Sequence, residues 1–287
     1  RRPLSPQPRR AASPRRRPCE GRRVSCDRDG ARAGRCIYDE TGICQTRDHL
    51  NLVFAPIKGF KEYFAVKALP NPRILGILRD IGFGFDCSSV AELQLSRAVG
   101  ARGEDIMFTS NNTSDEEFRA AEADGGCVLN LDDISLIPKV PIMPELICFR
   151  YNPGGRRSGN SIIGNPIEAK YGVAHNQLLD AYRTAKELGA SRFGLHTMLA
   201  SNELDYSYMV ETVRMLLESV EWISEELDIS FEFINIGGGL GIPYRPEDEA
   251  LDIAAMAAEI GLIYVDFKAR HGTPIVAVTD GRVTGAG

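Results

Sequence analysis

The sequence has no long apolar run, and its excess positive charge is confined to one end. Nowhere in the 287 residues does an apolar segment approach the roughly 18 residues that a membrane helix needs, so no membrane partner is expected. Residues 1–35 hold twelve arginines, no lysine and three acids, a formal charge of +9. Because the whole chain carries −5, the other 252 residues carry −14. We expect no nucleic-acid partner, because contacts to phosphates need a basic surface.

The seven cysteines form neither a zinc motif nor a disulfide framework. Their number is odd, their spacing is irregular and no C-x-x-C pair occurs, so no metal site is predicted. Cys87, Cys127 and Cys148 fall in apolar, strand-like segments. We therefore expect buried free thiols in a reducing compartment, and we predict a cytoplasmic protein.

Residues 1–36 form a leader that is rich in Arg, Pro and Ser and has almost no large apolar side chains. Such a segment cannot bury enough surface to fold by itself. An organellar transit peptide and a basic nucleic-acid tail both have this composition. A tail without function is favoured over either, and the absence of an initiator methionine agrees with it. Residues 37–287 are predicted to form one domain.

Short β-rich segments alternate with helix-length amphipathic segments along this domain. The predicted strands are Tyr63–Val66, Gly84–Asp86, Ile106–Phe108, Cys127–Leu129, Leu146–Tyr151, Arg192–His196, Phe231–Ile236 and Pro274–Val278. The predicted helices are Pro72–Asp80, Val90–Val99, Asp115–Ala123 (with a capping box at Ser114 and Glu117), Asn176–Leu188, Tyr206–Glu226 and Asp248–Arg270. Alternation of this kind implies an α/β fold with a parallel sheet. Eight strands favour a closed (β/α)8 barrel of the TIM type over an open doubly wound sheet, and no dinucleotide fingerprint supports the latter.

Functional side chains in such barrels lie at the carboxyl ends of the strands. Lys67 follows the first predicted strand, directly after four apolar or aromatic residues. A partly desolvated amine at this position would have a lowered pKa and could attack a carbonyl carbon. A strand-end lysine that merely contacts solvent explains the position equally well.

Three consecutive glycines, Gly237–Gly239, follow the seventh predicted strand. Glycines let the backbone approach an anion closely and direct several N–H groups at it. The segment is neither a G-x-G-x-x-G motif nor a P-loop, and a phosphate cradle is favoured over a flexible turn. A strand-end lysine and a phosphate cradle at one barrel mouth suggest pyridoxal phosphate, with Lys67 holding the aldehyde as a Schiff base.

With these features the sequence resembles the fold-type III pyridoxal-phosphate decarboxylases, that is, the diaminopimelate, ornithine and arginine decarboxylases, barrel relatives of alanine racemase. The similarity extends over about residues 37–287, and Gly237–Tyr244 with Asn111-Asn112 is most similar to diaminopimelate decarboxylase. The matching segments, in order, are Tyr63–Ala68, Gly84–Ser89 with Glu92, Phe108–Asn112, Arg150–Gly154, Lys170–Gly172, Gly194–His196 and Gly237–Tyr244.

The resemblance implies pyridoxal 5'-phosphate as the cofactor and Lys67 as the catalytic residue. It also implies that Ser201 and Gly237–Gly239 bind the cofactor phosphate. Arg282 would bind the substrate carboxylate, because a guanidinium donates to both oxygens at once. The other positions that correspond to the cofactor pocket are Asp86, Glu92, Arg150, His196, Thr279, Asp280, Gly281 and Arg282.

The sequence departs from this family at three places. Thr279 stands where the family has a glutamate that pairs with the pyridine nitrogen, and Asp280 follows on the opposite face of the strand. Met198 stands where many members stack a histidine on the cofactor ring. The family's second, β-rich domain, with a catalytic cysteine and a tyrosine, has no counterpart in the 287 residues. We therefore expect this chain to bind the cofactor weakly and to decarboxylate poorly.

The predicted activity is decarboxylation of a basic or diamino amino acid, first of all meso-diaminopimelate to lysine, in lysine biosynthesis. The alternative is a decarboxylase homologue or fragment without catalysis that binds the cofactor or has a regulatory role. The expected partner is a small amino-acid substrate, and the full-length family member is expected to be a homodimer.

Overall fold

The computed structural model describes residues 23–26, 36–158, 164–166, 168, 171–271 and 276–279, with residues 23–26 and 276–279 described at the level of the backbone. The strands are β1 Arg23–Cys26, β2 Cys36–Asp39, β3 Lys61–Ala65, β4 Gly84–Cys87, β5 Gly103–Phe108, β6 Cys127–Leu131, β7 Leu146–Asn152, β8 Val173–Ala174, β9 Arg192–His196, β10 Phe231–Asn235 and β11 Val276–Thr279. The α-helices are α1 Glu40–Val53, α2 Pro72–Asp80, α3 Val90–Ala98, α4 Asp115–Glu122, α5 His175–Glu187, α6 Tyr206–Leu227 and α7 Ile253–His271.

Eight parallel strands close into a barrel in the order β3-β4-β5-β6-β7-β9-β10-β11. The ring closes where β11 pairs with β3, with Val278 opposite Lys61 and Thr279 opposite Glu62. Each of the eight predicted strands overlaps one strand of this ring, so the prediction of a (β/α)8 barrel is confirmed. The described residues also include a short antiparallel pair, β1 with β2, and the two-residue strand β8 beside β7.

Apolar side chains fill two compartments, one between the strands and the helices and one inside the barrel. The inner group comprises Tyr63, Met107, Val128, Leu146, Cys148 and Phe233, contributed by five strands. The ring of Phe233 occupies the space beside Gly194, where an added Cβ would lie 2.1 Å from the Phe233 Cζ. The amino-terminal part of the barrel is thus a packed core, which leaves space for a ligand towards the carboxyl ends of the strands.

Polar side chains set the helix starts. Ser114 and Glu117 form the predicted capping box of α4, in which each side chain accepts from the other residue's backbone N–H. Helix α7 begins at Ile253, five residues later than predicted, because two aspartates direct the preceding chain. Asp248 accepts from the N–H groups of Tyr244 and Arg245, and Asp252 accepts from Ala255 at the helix start.

Cys87, Cys127 and Cys148 are free thiols, as predicted; Cys87 and Cys148 are also buried, whereas Cys127 is half-buried. Cys44 is disulfide-bonded, so the expectation of free thiols is wrong at this position. Cys44 lies on α1 and not in a barrel strand. It is close in sequence to the leader, which holds Cys19, Cys26 and Cys36. Among the described residues, no helix combines the length and the apolar character that crossing a membrane requires.

Candidate functional site

A cavity of about 600 Å³ lies at the carboxyl ends of the barrel strands. Its wall is built by the ends of β3, β4, β7 and β9, the segment after β5, and the turn after β10. The lining residues are Ala65, Lys67, Ala68, Asp86, Ser88, Thr109, Asn111, Arg150, His196, Met198, Ser201, Asn202, Gly238, Gly239, Leu240, Ile242 and Tyr244.

Lys67 lies on a single 3-10 turn, Val66–Ala68, immediately after β3. It lines the cavity, yet the residue remains exposed, because this turn sits at the open mouth of the barrel. Of the two predicted environments of Lys67, a partly desolvated amine and a lysine in contact with solvent, the structure shows the second. The position supplies a primary amine to the cavity, and amines of this kind capture aldehydes and ketones.

Asp86, on β4, presents a buried carboxyl group to the same cavity, and its Oδ1 accepts a hydrogen bond of 2.8 Å from the Thr109 hydroxyl. Burial raises the pKa of this carboxyl from 3.8 to about 6, although the Thr109 hydrogen bond and the charge of Lys67 oppose the rise. The carboxyl group is therefore poised to change charge near neutral pH.

His196 ends β9 and is almost completely buried, with 3% of its surface exposed. Its Nδ1 lies 2.9 Å from the amide nitrogen of Asn130 on β6. Burial, together with the positive charges of Arg150 and Lys67, lowers the pKa of His196 well below its ordinary value. The imidazole in the cavity wall is therefore neutral at physiological pH.

Arg150, on β7, holds its guanidinium at the cavity between an acid and an aromatic ring. Its Nη1 donates to Asp132 Oδ1 at 3.1 Å, and its Cζ lies 5.4 Å from the centre of the Tyr171 ring. Burial raises the pKa of Asp132, and the charge of Arg150 opposes that rise. A guanidinium fixed in this way can donate its remaining N–H groups to an anionic ligand.

The glycine turn after β10 packs tightly against the chain after β9. A Cβ on Gly237 would lie 2.2 Å from the carbonyl oxygen of Thr197, and one on Gly239 would lie 2.3 Å from that of Ala200. Both glycines have positive φ angles, 72° and 97°. Close packing therefore requires glycine at these two positions whether or not an anion binds there.

Hydrogen bonds hold this turn in one conformation. The Gly237 N–H donates to Asn235 Oδ1 at 2.9 Å, and the Ile242 N–H donates to Asn202 Oδ1 at 3.0 Å. The Gly238 N–H faces the thioether sulfur of Met198 at 3.2 Å, a weak acceptor. The turn is thus preformed, and the predicted alternative of a flexible turn does not describe it.

Seven of the residues predicted for the site line this cavity, although most are far apart in the sequence. They are Lys67, Asp86, Arg150, His196, Ser201, Gly238 and Gly239. Gly237 supports the turn from behind the lining. Glu92 instead caps α3, where its carboxylate accepts from the Ser88 N–H at 3.1 Å and from the Ser89 hydroxyl at 2.9 Å. Thr279 ends β11, where the backbone is described, and Asp280, Gly281 and Arg282 lie outside the described residues.

Sequence reasoning assigned no role to Thr109, Asn130, Asp132 or Asn202, each of which holds a cavity residue or the glycine turn in place. One signal was available for Asn130, which is a lone polar residue inside the apolar strand Cys-Val-Leu-Asn-Leu. A buried amide requires partners, so such a residue points to a polar network inside the barrel.

Comparison with known proteins identifies the family of the chain. The family described as "Pyridoxal-dependent decarboxylase, pyridoxal binding domain" matches residues 45–286. Protein TabA from Pseudomonas amygdali pv. tabaci is 44% identical over 221 residues, which cover 77% of this chain and 52% of TabA. Diaminopimelate decarboxylase from Methanothermobacter thermautotrophicus is 34% identical over 254 residues, which cover 86% of this chain and 59% of the relative. The chain thus spans little more than half the length of these relatives.

The solved structure of diaminopimelate decarboxylase from M. jannaschi has the same fold, with a TM-score of 0.73 at 22% identity, over 90% of this chain and 66% of that one. The family's domain binds pyridoxal, which agrees with pyridoxal phosphate as the cofactor. The chain belongs to the pyridoxal-dependent decarboxylases, and the part of that family to which it corresponds is the pyridoxal-binding domain.

Proposed function

We propose that the barrel binds pyridoxal phosphate in this cavity through Lys67 and supports decarboxylation of an amino acid at the carboxyl ends of its strands. The observation that carries the proposal is the joint presence, around one cavity, of a lysine amine, Ser201 and the preformed Gly238–Gly239 turn. The aldehyde needs the first of these, and the phosphate needs the other two.

The residues present fit this cofactor. Gly238, Gly239 and Ser201 line the cavity at a turn whose shape is fixed before binding, and the Gly238 N–H faces only the weak acceptor sulfur of Met198, which a phosphate oxygen would replace. The thioether of Met198 lines the cavity beside the turn and can pack on the face of a flat ring. We assign Lys67, Asp86, Arg150, His196, Ser201 and Gly237–Gly239 to the cofactor site, and we retain Thr279, Asp280, Gly281 and Arg282 as proposed members.

When bound, pyridoxal phosphate supplies an aldehyde for covalent capture of an amine and a ring that accepts the electrons left by departing carbon dioxide. Lys67 Nζ would hold the cofactor through its aldehyde, and as a primary amine at the cavity it could carry a proton. Arg150, fixed by Asp132, donates to an anionic group in the cavity. Asp86 places a carboxyl group with a pKa of about 6 at the wall, where it can bind or release a proton.

For the substrate we propose meso-diaminopimelate, with ornithine, lysine and arginine as the other candidates. Two relatives named diaminopimelate decarboxylase are 34% and 35% identical to this chain, which supports that choice. TabA, at 44% identity, carries a different name and keeps the side-chain specificity open. For the whole protein we propose a homodimer, on the family resemblance, and a cytoplasmic location, on the free thiols of the barrel; the disulfide-bonded Cys44 counts against that location.

Release of carbon dioxide from meso-diaminopimelate, with L-lysine, L-ornithine and L-arginine as competing substrates, tests this function. We expect release above that of the matched Lys67→Ala blank, with diaminopimelate preferred. Cofactor binding without release from any of the four substrates would favour the non-catalytic alternative. Absence of cofactor binding would contradict the proposal altogether.

A further inference from the structure

We propose that Asn130 is a positioning residue that holds His196 in the neutral form with its proton on Nε2. Four side chains of the barrel interior form one hydrogen-bonded chain, Asp86–Thr109–Asn130–His196. Its distances are 2.8 Å between Asp86 Oδ1 and Thr109 Oγ1, 3.1 Å between Thr109 Oγ1 and Asn130 Nδ2, and 2.9 Å between Asn130 Nδ2 and His196 Nδ1.

Counting protons, starting at Asp86, determines which group donates and which accepts in each of these hydrogen bonds. An ionised carboxylate only accepts hydrogen bonds, so the single hydroxyl proton of Thr109 must go to Asp86 Oδ1. The Thr109 oxygen is then an acceptor towards Asn130. The group of Asn130 that faces Thr109 must therefore be its NH₂ and not its carbonyl oxygen.

The two protons of the Asn130 amide are thereby both assigned. One goes to Thr109 Oγ1, and the other goes to His196 Nδ1. Because Nδ1 accepts this bond, it carries no proton, and the neutral imidazole must carry its proton on Nε2. Asn130 and His196 are both buried, with 1% and 3% of their surfaces exposed, and the Asn130 amide is the partner that the structure gives Nδ1.

Burial and charge set the state of the two end groups of this hydrogen-bonded series. Burial lowers the pKa of His196 well below its ordinary value, and the positive charges of Arg150 and Lys67 lower it further. Burial raises the pKa of Asp86 to about 6, and Glu92 adds to the rise, whereas Lys67 and Arg150 oppose it. At pH 7.5 the carboxyl is therefore ionised and the imidazole is neutral, as the proton count assumes.

The tautomer determines what His196 offers to the cavity that it lines. With its proton on Nε2, the ring donates a hydrogen bond from the nitrogen that does not face Asn130. With its proton on Nδ1, the same Nε2 nitrogen would be an acceptor. Its bearing on pyridoxal phosphate rests on the proposed function. The tautomer itself is a property of the cofactor-free protein, so this inference and the proposed function can be tested separately.

Nitrogen-15 NMR of the cofactor-free chain, labelled in histidine, is the test. The sequence has four histidines, and His196→Gln identifies the signals of His196 by their loss. At pH 7.5 we expect the Nε2-protonated form to exceed the Nδ1-protonated form at least about tenfold, the effect of one hydrogen bond in a buried site. A wild-type spectrum with the proton mainly on Nδ1 would overturn the proposal without recourse to any variant.

Two pairs of variants test whether the hydrogen bonds of Asn130 and Thr109 determine the His196 tautomer. Asn130→Asp replaces the donor by an acceptor and should move the proton to Nδ1, whereas Asn130→Leu should bring the two forms to comparable amounts. Thr109→Val should reduce the Nε2 preference, and Thr109→Ser, which keeps the hydroxyl, should restore it. The signals of His175, which lies on α5 and is not one of these four hydrogen-bonded side chains, serve as the folding control. An unchanged His196 tautomer in folded Asn130→Leu would refute the role of Asn130.

Titration of the same samples with pyridoxal phosphate separates this inference from the proposed function. If wild type shows the Nε2 form but binds no cofactor, the proposed function fails and the inference stands. If cofactor binds and the proton lies on Nδ1, the inference fails and the proposed function stands.

Discussion

Asp86 is a carboxyl group that the barrel buries next to ionisable neighbours. Burial takes water away from its charged form, and only a hydrogen bond from Thr109 and the charges of Lys67 and Arg150 partly compensate. A buried acid with a raised pKa in the folded state destabilises the protein once it is ionised, because the unfolded chain ionises it more easily. Such a cost is tolerated at functional sites more than elsewhere.

The pH dependence of stability gives a test at this residue. The folded-state pKa of about 6 lies above the unfolded value of 3.8, so the destabilisation is absent below pH 3.8 and complete above pH 6. Relative to Asp86→Asn, wild type should lose about 2 kcal/mol of unfolding free energy between pH 4 and pH 7.5. Urea unfolding of both proteins at the two pH values measures this. A difference that stays constant, or that grows in favour of wild type as pH rises, would contradict the assignment.

Single residues were predictable from sequence where their type and their place at a strand end coincided. Lys67 was found in this way, whereas Asp86, Arg150 and His196 were predicted from the family resemblance, and the cavity brings the four together. The sequence left the environment of Lys67 open between partial desolvation and contact with solvent, because its exposure depends on the short turn after β3. The contact between Asn130 and His196 was not predictable either, since it joins strands 66 residues apart across the barrel.

Neighbouring strands β9 and β10 share one packing contact that fixes the barrel interior. Position 194 requires glycine because the Phe233 ring occupies the space of a side chain there, with ring atoms 2.1 to 2.6 Å from an added Cβ. Gly194→Ala should therefore destabilise the protein by about 1–3 kcal/mol, the usual range for overpacking a core. Gly76→Ala is the matched control, since its Cβ meets nothing within 4 Å and an alanine favours helix α2.

Thermal or urea unfolding of these two variants measures the effect. The combination of Gly194→Ala with Phe233→Leu should recover part of the loss, because the smaller side chain makes room for the methyl group. Equal stability of Gly194→Ala and wild type would show that the inner core can shift without cost.

The turn after β10 supports a prediction about the cofactor. Gly238 lines the cavity, and its backbone must approach the phosphate closely if the proposal is right. Gly238→Val should weaken pyridoxal phosphate binding at least about tenfold, or about 1.4 kcal/mol. Gly76→Val, which adds the same side chain on helix α2 at a residue that does not line the cavity, should leave the affinity unchanged. Titration of cofactor absorbance decides, and equal affinity of Gly238→Val and wild type would remove the turn from the site.

The eight barrel strands were predictable because each is a short β-rich segment bounded by turn residues. Their ends were less so. Strand β5 begins at Gly103, three residues before the predicted Ile106, and its pairing with β6 shifts register between Gly103 and Met107. Irregular pairing of this kind depends on the neighbouring strand, which no local pattern records. The start of α7 depended likewise on side-chain hydrogen bonds of Asp248 and Asp252.

In the whole molecule, the two ends of the barrel have different roles. At the amino end Arg192 binds Glu232 through two nitrogens, at 2.6 and 2.8 Å, and Glu104 at 2.6 Å. At the carboxyl end lies the cavity. Changes at the amino end should therefore alter stability without altering ligand binding, as in other barrels of this type.

A pair of variants tests this division. Arg192→Met should cost about 0.5–1 kcal/mol of stability, a modest value because a third of its side chain is exposed and water screens the pairs, and should leave cofactor affinity unchanged. Ser201→Ala should weaken cofactor binding and leave the melting temperature nearly unchanged. Loss of cofactor affinity in Arg192→Met, with the fold intact, would show that the two ends are coupled.

The attachment of pyridoxal phosphate to Lys67 is the central claim, and one measurement tests it directly. The chain is incubated with pyridoxal phosphate, reduced with borohydride and digested, and the labelled peptide is identified by mass spectrometry. The account predicts label on Lys67, none in Lys67→Ala, and the same far-UV circular dichroism for both proteins. Label on Lys58, Lys61 or Lys170 in place of Lys67, or undiminished labelling of Lys67→Ala, would contradict it.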